Sequence, residues 1–336
     1  MSEFKHIQTA HCENGVTVNL LKQQGLDFMT EPLAFGIGSG LFYIHIPFLK
    51  VNGGPAISFR SMPGAIFSRT CKSLDVKVER KKFRSHEAAQ LYLDQKVDDG
   101  IAVGCPVGVY NLLYFPKEYR FHFNAYNLIV YGRDGNDYLV SDPVMETTTR
   151  LSKEALEKVR FAKGALAPKG HLYYPVQARP ITEEVLRKGI VRGINRNVRD
   201  MLRIPTKIVG VRGINHTASK VRKWREQHGE RTAGLFLGQI VRMQEEIGTG
   251  GGGFRFIYAA FLEQASEILG DDRLLGISEQ FTKAGDLWRD SALQMAGIYK
   301  GRITAQKDFD DCADIMNAIS AAEKQAFQDL GKLNLR

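Results

Sequence analysis

The spacing of apolar residues changes near residue 180, and this change constrains the fold more than any other feature of the chain. Beyond it, the stretches 254–269 and 277–295 carry apolar residues every three to four positions, which is typical of helices with one buried face. Before it, the pattern predicts short helices first and antiparallel strands later. A chain of 336 residues suits two hydrophobic cores. The sequence therefore predicts two domains, 1–178 and 179–336, of which the second is mostly helical.

Individual elements of the first domain can be placed from their start and stop signals. We predict helices over 12–24, 31–35 and 85–97, and strands over 41–46, 56–59, 101–105, 125–131 and 138–141. Gly25 provides a glycine stop for the first helix. The segment from Gly132 to Asp137, rich in Gly, Asp and Asn, joins the last two strands and is typical of a hairpin. The first domain is thus predicted to be α+β with an antiparallel sheet.

Basic residues are concentrated in one part of the chain. Lys and Arg outnumber Asp and Glu by 46 to 37, which gives a net charge of +9. The stretch 179–231, called the basic stretch below, holds fourteen Lys or Arg and five Asp or Glu, and this accounts for the whole excess. Such a stretch indicates an acidic partner or ligand, which could be nucleic acid, anionic lipid, a phosphate group or an acidic protein. The alternative is a solvated helix surface.

Several classes of protein are disfavoured by the sequence. The first fourteen residues lack the continuous apolar core of a secretory signal, and the most apolar stretch, Leu33 to Leu49, is broken by glycines, prolines and His45. We therefore expect a cytoplasmic protein without integral membrane contact. The four cysteines lack paired spacing and the histidines are scattered, which argues against a disulfide framework and against a metal site. Trp224 among basic residues is weak evidence for nucleic acid, which we do not expect as a partner.

Cys12 is the strongest candidate for a catalytic nucleophile. It begins the first predicted helix, where unpaired N–H groups and the helix dipole lower the pKa of a thiol and favour the reactive thiolate. The alternative is a buried structural cysteine. A cysteine nucleophile also needs a base and a group that orients this base, which in papain-like folds sit on adjacent antiparallel strands facing the nucleophile's helix. The predicted hairpin fits this arrangement and ends at Asp142, a candidate orienting acid whose alternative role is an Asp-Pro turn.

Motifs along most of the chain resemble one known family. In the first domain they are His11-Cys12, Gly25-Leu26, Glu31-Pro32, the run FGIGSGL at 35–41, Pro106-Val107 and the hairpin from Val130-Tyr131-Gly132 to Asp142-Pro143. These motifs resemble the N-terminal domain of the BtrH family, which is named for the acyltransferase of butirosin biosynthesis. In the second domain, the run GGGGFR at 250–255, followed by Tyr258 and Phe261-Leu262, resembles the helical domain that accompanies it.

The resemblance implies a papain-like cysteine domain followed by a mostly helical domain, and an acyltransferase of specialised-metabolite biosynthesis. Cys12 would attack the phosphopantetheine thioester of an acyl carrier protein, and an amine or hydroxyl of a small-molecule acceptor would then take the acyl group. No bound cofactor is implied. Carrier proteins are acidic, so the basic stretch gains a candidate partner.

The alternatives are a cysteine peptidase or amidase of the same fold, and a non-catalytic module that binds acyl groups or carrier proteins. A homodimer is compatible with each of these.

The position of the catalytic base departs from the resembled pattern. The family places a histidine about six residues before the hairpin glycine, Gly132, and this chain has Tyr126 there. Three interpretations follow: His122 acts through an irregular strand, His11 or another histidine acts instead, or the site is impaired or altered at residue 126. Tyr126 could also hydrogen-bond a bound acyl or sulfur group, but a phenol with a pKa of about 10 is a poor base at neutral pH.

Further residues are candidates for substrate binding. His11 adjoins the nucleophile, and Glu31 is either a buried acid near the site or a residue of a first helical turn. Gly36 and Gly38 lie in a glycine-rich turn that, by the resemblance, borders the nucleophile's pocket. Arg255 opens a helix after the glycine run, where it and the backbone N–H groups could receive the phosphate of phosphopantetheine. The alternative for that run is a flexible connection.

Overall fold

The computed structural model describes residues 4–51, 53–176 and 180–335. The predicted boundary between residues 178 and 179 lies outside the described residues, as does the first residue of the basic stretch. The predicted fold class is confirmed, because an α+β region with an antiparallel sheet is followed by a mostly helical region.

Helices occur along the whole described chain and are denoted here in chain order. They are α1 (Cys12–Lys22), α2 (Glu31–Ile37), α3 (Ala65–Ser73), α4 (His86–Asp98), α5 (Lys153–Arg160), α6 (Glu183–Leu202), α7 (Gly210–His228), α8 (Glu230–Val241), α9 (Arg255–Leu269), α10 (Arg273–Tyr299) and α11 (Gln306–Lys332). The helices predicted over 12–24, 31–35 and 85–97 are found as α1, α2 and α4. The two long apolar repeats of the second half form α9 and α10.

Strands form two antiparallel sheets in the described residues. They are β1 (Leu41–Val51), β2 (Gly54–Arg60), β3 (Val78–Lys81), β4 (Val103–Val107), β5 (Tyr126–Asp134), β6 (Asp137–Ser141), β7 (Thr149–Ser152) and β8 (Leu172–Pro175). β1 pairs with β2, and the other strands form one sheet in the order β3-β8-β4-β5-β6-β7. The sequence missed β3, β7 and β8, which have four residues each and are too short to show a clear alternation.

Contacts divide the chain into two units. The first consists of Met1–Ala34 and Ile66–Leu186, and the second of Phe35–Ala65 and Arg187–Arg336. The sequence-based division placed the segment 35–65 in the first domain, whereas the structure groups it with the helices of the second unit.

The hairpin of β1 and β2 explains why this segment belongs to the second unit. The Tyr43 hydroxyl donates a hydrogen bond of 2.8 Å to Thr217 Oγ1 in α7. The His45 backbone N–H donates one of 3.0 Å to the carbonyl of Ile208, just before α7. Because both partners lie more than 150 residues away along the chain, no local pattern could have predicted this attachment.

One hydrophobic core of the first unit lies on one face of the six-stranded sheet. Alternate residues of β4, at 103, 105 and 107, enter this core together with apolar residues of α4 and α5. Leu128 and Val130 do the same from β5, as the two-residue period of a strand requires. The register pairs Val107 with Tyr126, so β4 and β5 meet at the start of β5.

The second unit has an aromatic core. The ring of Phe59, in β2, meets Trp288 of α10 edge-on with centroids 5.1 Å apart, and Tyr43 of β1 packs against both rings. Trp288 is completely buried. Across the described residues, no helix combines the length and apolar character needed to cross a membrane.

Candidate active site

Cys12 is the first residue of α1 and is buried, with 5% of its surface exposed. The helix starts here because His11 has an extended backbone, and the His11 Nδ1 accepts a hydrogen bond from the Asn14 N–H over 3.4 Å. The position at a helix start is therefore as predicted. None of the four cysteines forms a disulfide.

Glu31, the first residue of α2, holds the segment that leads into α1. Its Oε2 accepts a hydrogen bond from the Ala10 N–H (2.8 Å), and its Oε1 accepts from the His11 N–H (2.9 Å) and from Asn14 Nδ2 (3.2 Å). Burial raises the pKa of the Glu31 carboxyl, while these hydrogen bonds act in the opposite direction. Glu31 is therefore both a residue of the first turn of α2 and a buried acid near the site, because its carboxylate positions the backbone beside Cys12.

Gly15 brings α1 against the segment that follows β6. A Cβ atom at Gly15 would lie 2.2 Å from Pro143 Cβ and 2.1 Å from Thr9 Oγ1, so any larger residue would clash. The Thr9 N–H also donates to the carbonyl of Pro143 over 2.7 Å. The start of α1 and the end of the hairpin are therefore fixed to each other by direct contact.

Asp142, directly after β6, is completely buried and accepts three hydrogen bonds. The Tyr126 hydroxyl donates to Oδ1 (2.8 Å), the Tyr114 hydroxyl to Oδ2 (2.7 Å) and the Val144 N–H to Oδ1 (3.1 Å). Burial raises the pKa of the Asp142 carboxyl, and the three donors and the nearby His6 act to lower it. Asp142 thus contacts the side chain at position 126, as an orienting acid would, but this side chain is a phenol.

Tyr126 is the first residue of β5, and its hydroxyl proton is directed at Asp142. Burial raises the pKa of the Tyr126 phenol well above its ordinary value, and the negative charges of Asp142 and Cys12 raise it further. Cys12 raises the pKa of Tyr114 in the same way, after burial and Asp142. The thiol therefore lies within electrostatic range of both tyrosines. Tyr126 stays protonated at neutral pH and cannot act as a general base.

His122 is not brought to this cluster. It lies in a bend before β5, is exposed, and stacks on Tyr110 with ring centroids 4.2 Å apart. β5 begins only at Tyr126, so the irregular strand that would carry His122 to Asp142 is not formed. No described histidine hydrogen-bonds to Asp142. His122 is therefore not positioned as the base through an irregular strand, contrary to that interpretation.

The role of His11 is also defined by its contacts. Its ring is buried, and Nδ1 accepts the hydrogen bond from the Asn14 N–H. This use of Nδ1 as a helix cap gives His11 a structural role at the start of α1.

Two residues of the site were missed by sequence reasoning. Tyr114 lies in the connection between β4 and β5, and its bond to Asp142 has no signal in the sequence. His6 precedes α1, and its ring nitrogens contact Ser141 Oγ (2.8 Å) and the Met145 carbonyl (3.0 Å) on either side of Asp142. Both contacts join segments that are distant in the chain, so neither spacing nor composition could reveal them.

The predicted glycine-rich turn serves helix packing in the second unit. A Cβ atom at Gly36 would lie 2.1 Å from the ring of Phe261, and one at Gly193 of α6 would lie 2.4 Å from the Gly36 carbonyl. Gly38 is buried, and the neighbouring Ser39 hydroxyl donates to the Gly193 carbonyl over 3.3 Å. These close approaches account for glycine in the turn without a substrate.

Arg255, predicted to bind a phosphate, is completely buried and pairs with Glu323 of α11. Its Nε and Nη2 donate to the two carboxylate oxygens over 2.7 and 2.9 Å, and its Nη1 donates to the Gly253 carbonyl. Trp288 Nε1 also donates to Glu323 Oε1 over 2.7 Å. The prediction that Arg255 binds a phosphate is therefore wrong. Its guanidinium is buried and its counter-ion is the carboxylate of Glu323.

Comparison with known families assigns both parts of the chain. Residues 11–143 match the family model described as Butirosin biosynthesis protein H, N-terminal. Residues 154–330, more than half of the chain, match the Domain of unknown function (DUF4872). The chain belongs to the DUF4872 family, and its N-terminal part is a BtrH-type N-terminal domain. No curated protein gives a significant match to it.

The BtrH-type match includes most of the cluster described above, but not His6. Cys12, Tyr126 and Asp142 all lie within the matched residues 11–143. The match relates this part of the chain to a family that is acyltransferase-like and biosynthetic. Within the described residues, no group of three or more His, Cys, Asp or Glu side chains could hold a metal ion.

Proposed function

We propose that this BtrH-type protein is a thiol-dependent acyltransferase that accepts acyl groups from a thioester on Cys12. The observation that carries the proposal is the position of Cys12, which starts α1 within electrostatic range of Tyr126, the phenol held by Asp142. The N–H groups and the dipole at the start of α1 favour the thiolate of Cys12.

The reaction consists of two acyl transfers. The thiolate of Cys12 attacks the thioester carbonyl, a new carbon–sulfur bond forms, and the bond to the donor sulfur breaks to release the donor as a thiolate. An amine or hydroxyl of the acceptor then attacks the acyl-cysteine, loses a proton to solvent and releases the Cys12 thiolate. No electron is gained or lost in either step.

Tyr126 at the expected base position favours a thioester over a peptide or amide as the substrate. Breaking an amide requires a proton donor for the leaving amine, which papain-like peptidases obtain from an imidazolium. A thioester needs no such donor, because its leaving thiol has an ordinary pKa close to that of the attacking cysteine. A neutral phenol bound to Asp142 is therefore more compatible with acyl transfer than with a peptidase or amidase.

For the donor, we propose the phosphopantetheine thioester of an acidic acyl carrier protein, and for the acceptor a small molecule. The net charge of +9 supports an acidic partner, since complementary charge speeds the encounter of two proteins. A cytoplasmic location remains part of this proposal.

Intact-mass spectrometry tests the proposal directly. The full chain is incubated with an acyl-pantetheine thioester, and we expect one acyl adduct that is lost when an amine acceptor is added. Cys12→Ala should form no adduct. Cys312→Ala is the matched control, because burial raises the pKa of Cys312 to about 12 and leaves this thiol unreactive. An adduct that survives in Cys12→Ala, or no adduct on the wild type at any pH from neutral to mildly alkaline, would overturn the proposal.

A non-catalytic binding module is the second candidate, and one observation favours it. The Tyr126 proton is directed at Asp142 and the raised pKa of the phenol keeps it there, so the residue at the expected base position cannot take the proton of the Cys12 thiol. This alternative predicts that the acylated donor binds reversibly, with a measurable affinity, while the mass of the protein stays unchanged.

A further inference from the structure

A cleft in the second unit lies between α7 and α11. Its volume is about 710 Å³, which is within the range of about 300–1,000 Å³ common to small-molecule sites. Residues of α7 at 211, 212, 215, 216 and 219 form one wall, and residues of α11 at 317, 320, 321, 324 and 328 form the other. These spacings of three and four residues mean that each helix presents one continuous face to the cleft.

The charged residues at the cleft are positive. Lys207, Arg212 and Lys324 line it, and no carboxylate does so among the described residues. None of these three cations has an ion-pair partner in the part of the chain that the structure describes. Their charges are therefore available to a ligand.

Some cations of the basic stretch differ in this respect. Arg222 pairs with Asp310 and Asp314, and Arg199 pairs with Asp200. Surface pairs of this kind satisfy their own charge and need no ligand. Part of the positive charge of the basic stretch is thus neutralised within the protein, whereas Lys207 and Arg212 keep theirs at the cleft.

Two further features favour an anion. The cleft reaches the first turn of α7, where Val209 provides no side-chain cap, and the positive end of the helix dipole adds to the potential there. Burial lowers the pKa of His216, and the charges of Lys220 and Lys207 lower it further, which reflects a positive environment.

Polar and apolar groups complete the lining. Asn215 Nδ2 donates to Asn317 Oδ1 over 3.1 Å and so links the two walls, and the Ser219 hydroxyl lies on the same face of α7. Leu202 and Val211 add apolar surface. Inorganic phosphate would contact the cations alone, whereas an organic phosphate would contact the cations through its phosphate group and the polar and apolar lining through its organic part.

We propose that this cleft binds a small organic molecule through a phosphate group. The combination of a planar guanidinium with two lysine ammonium groups is well suited to phosphate oxygens, which accept charge-assisted hydrogen bonds from both. The proposal is independent of the acyl transfer assigned to Cys12, which lies in the first unit.

Isothermal titration calorimetry on the full chain tests this site, with coenzyme A as the organic phosphate probe and inorganic phosphate as the bare anion. We expect coenzyme A to bind more tightly than inorganic phosphate, and its affinity to fall as the salt concentration rises. Arg212→Gln and Lys324→Gln should each weaken its binding by about tenfold, the effect of losing one charge-assisted hydrogen bond. Both side chains are exposed, so the variants should fold, which their thermal unfolding curves would show.

Arg222→Gln is the matched control, because it removes the same charge from the same helix outside the cleft. It should change the affinity by less than about twofold, as expected for a distant surface charge. Equal losses in Arg222→Gln and Arg212→Gln would reduce the binding to general electrostatic attraction and overturn the proposal. Equal affinity for the two probes, or no binding of either at low salt, would overturn it as well. Cys12→Ala should bind coenzyme A like the wild type, so the two proposals can fail separately.

Discussion

The Tyr126 hydroxyl donates a 2.8 Å hydrogen bond to Asp142 Oδ1, so a phenol takes the place beside this carboxylate where a papain-like site would hold an imidazole. Asp142 thus has the geometry of an acid that orients a catalytic base. The group that it orients, the Tyr126 phenol, stays protonated and cannot accept a proton at neutral pH. This single pair distinguishes acyl transfer from a peptidase mechanism, because transfer from a thioester tolerates the phenol and a peptidase mechanism does not.

Replacing Tyr126 by histidine should make Cys12 more reactive. An imidazole beside Asp142 can take the proton of the thiol, and the resulting ion pair stabilises the thiolate. We expect the rate of Cys12 alkylation by iodoacetamide at neutral pH to rise by about tenfold, since alkylation follows the thiolate fraction. The rate is measured by mass spectrometry of the Cys12 peptide. Tyr119→His places a histidine at an exposed position and serves as the control. An unchanged rate in Tyr126→His would contradict the assignment of residue 126 to the base position.

Replacing Gly15 by alanine should destabilise the protein. The added Cβ would overlap with the ring of Pro143, which cannot move away without displacing the end of the hairpin. We expect the free energy of unfolding to fall by about 2 kcal/mol or more, as in other overpacked sites. Urea denaturation provides the measurement.

Gly276→Ala is the matched control for this substitution. It also places alanine within a helix, but nothing lies within 4 Å of the new Cβ. Here we expect a gain of about 0.5–1 kcal/mol, the difference in helix propensity between the two residues. Equal effects of the two substitutions would mean that the contact between α1 and Pro143 is not close.

The pH dependence of stability should carry a contribution from Glu31. Its pKa is raised by burial, so the folded protein holds the proton more tightly than the unfolded chain does. The resulting stabilisation is complete below the ordinary pKa of 4.5 and is lost as the pH rises through the raised value.

Comparing the unfolding free energy of the wild type with that of Glu31→Gln isolates the contribution of Glu31, because the other groups titrate alike in both proteins. The difference in unfolding free energy, wild type minus variant, should increase as the pH is lowered from 7 towards 4.5. Urea denaturation at several pH values measures it. A difference that is constant, or that decreases on acidification, would show that the pKa of Glu31 is not raised.

Replacing Arg255 by methionine should be strongly destabilising. Glu323 would keep its charge in the interior without a counter-ion, a change that costs about 3–5 kcal/mol in buried pairs. The double variant Arg255→Met with Glu323→Gln should recover part of this loss, because the neutral amide can still accept the hydrogen bond of Trp288. Denaturation midpoints of the two variants are compared. A single variant as stable as the wild type would contradict a structural role for Arg255.

Local patterns were sufficient for much of the fold. The start of α1 at Cys12 and the hairpin of β5 and β6 follow from residues that are close in the chain. So do α9 and α10, whose apolar residues repeat with the helical period. The match over 11–143 supports the family resemblance, which was carried by short motifs.

Contacts between distant segments account for what the sequence could not determine by itself. The hairpin of β1 and β2 belongs to the second unit through partners in and just before α7. Arg255 is buried because Glu323, 68 residues later, neutralises it.

The same division applies to the candidate site. The sequence determined that Cys12 begins a helix and that Asp142 closes a hairpin, because helix starts and turns depend on neighbouring residues. Only the tertiary structure decided that Tyr114 and Tyr126 share the Asp142 carboxylate and that His122 lies elsewhere. The physical reason is that a buried carboxylate takes whichever donors the folded chain brings within hydrogen-bonding distance, and this distance depends on the packing of all the elements around it.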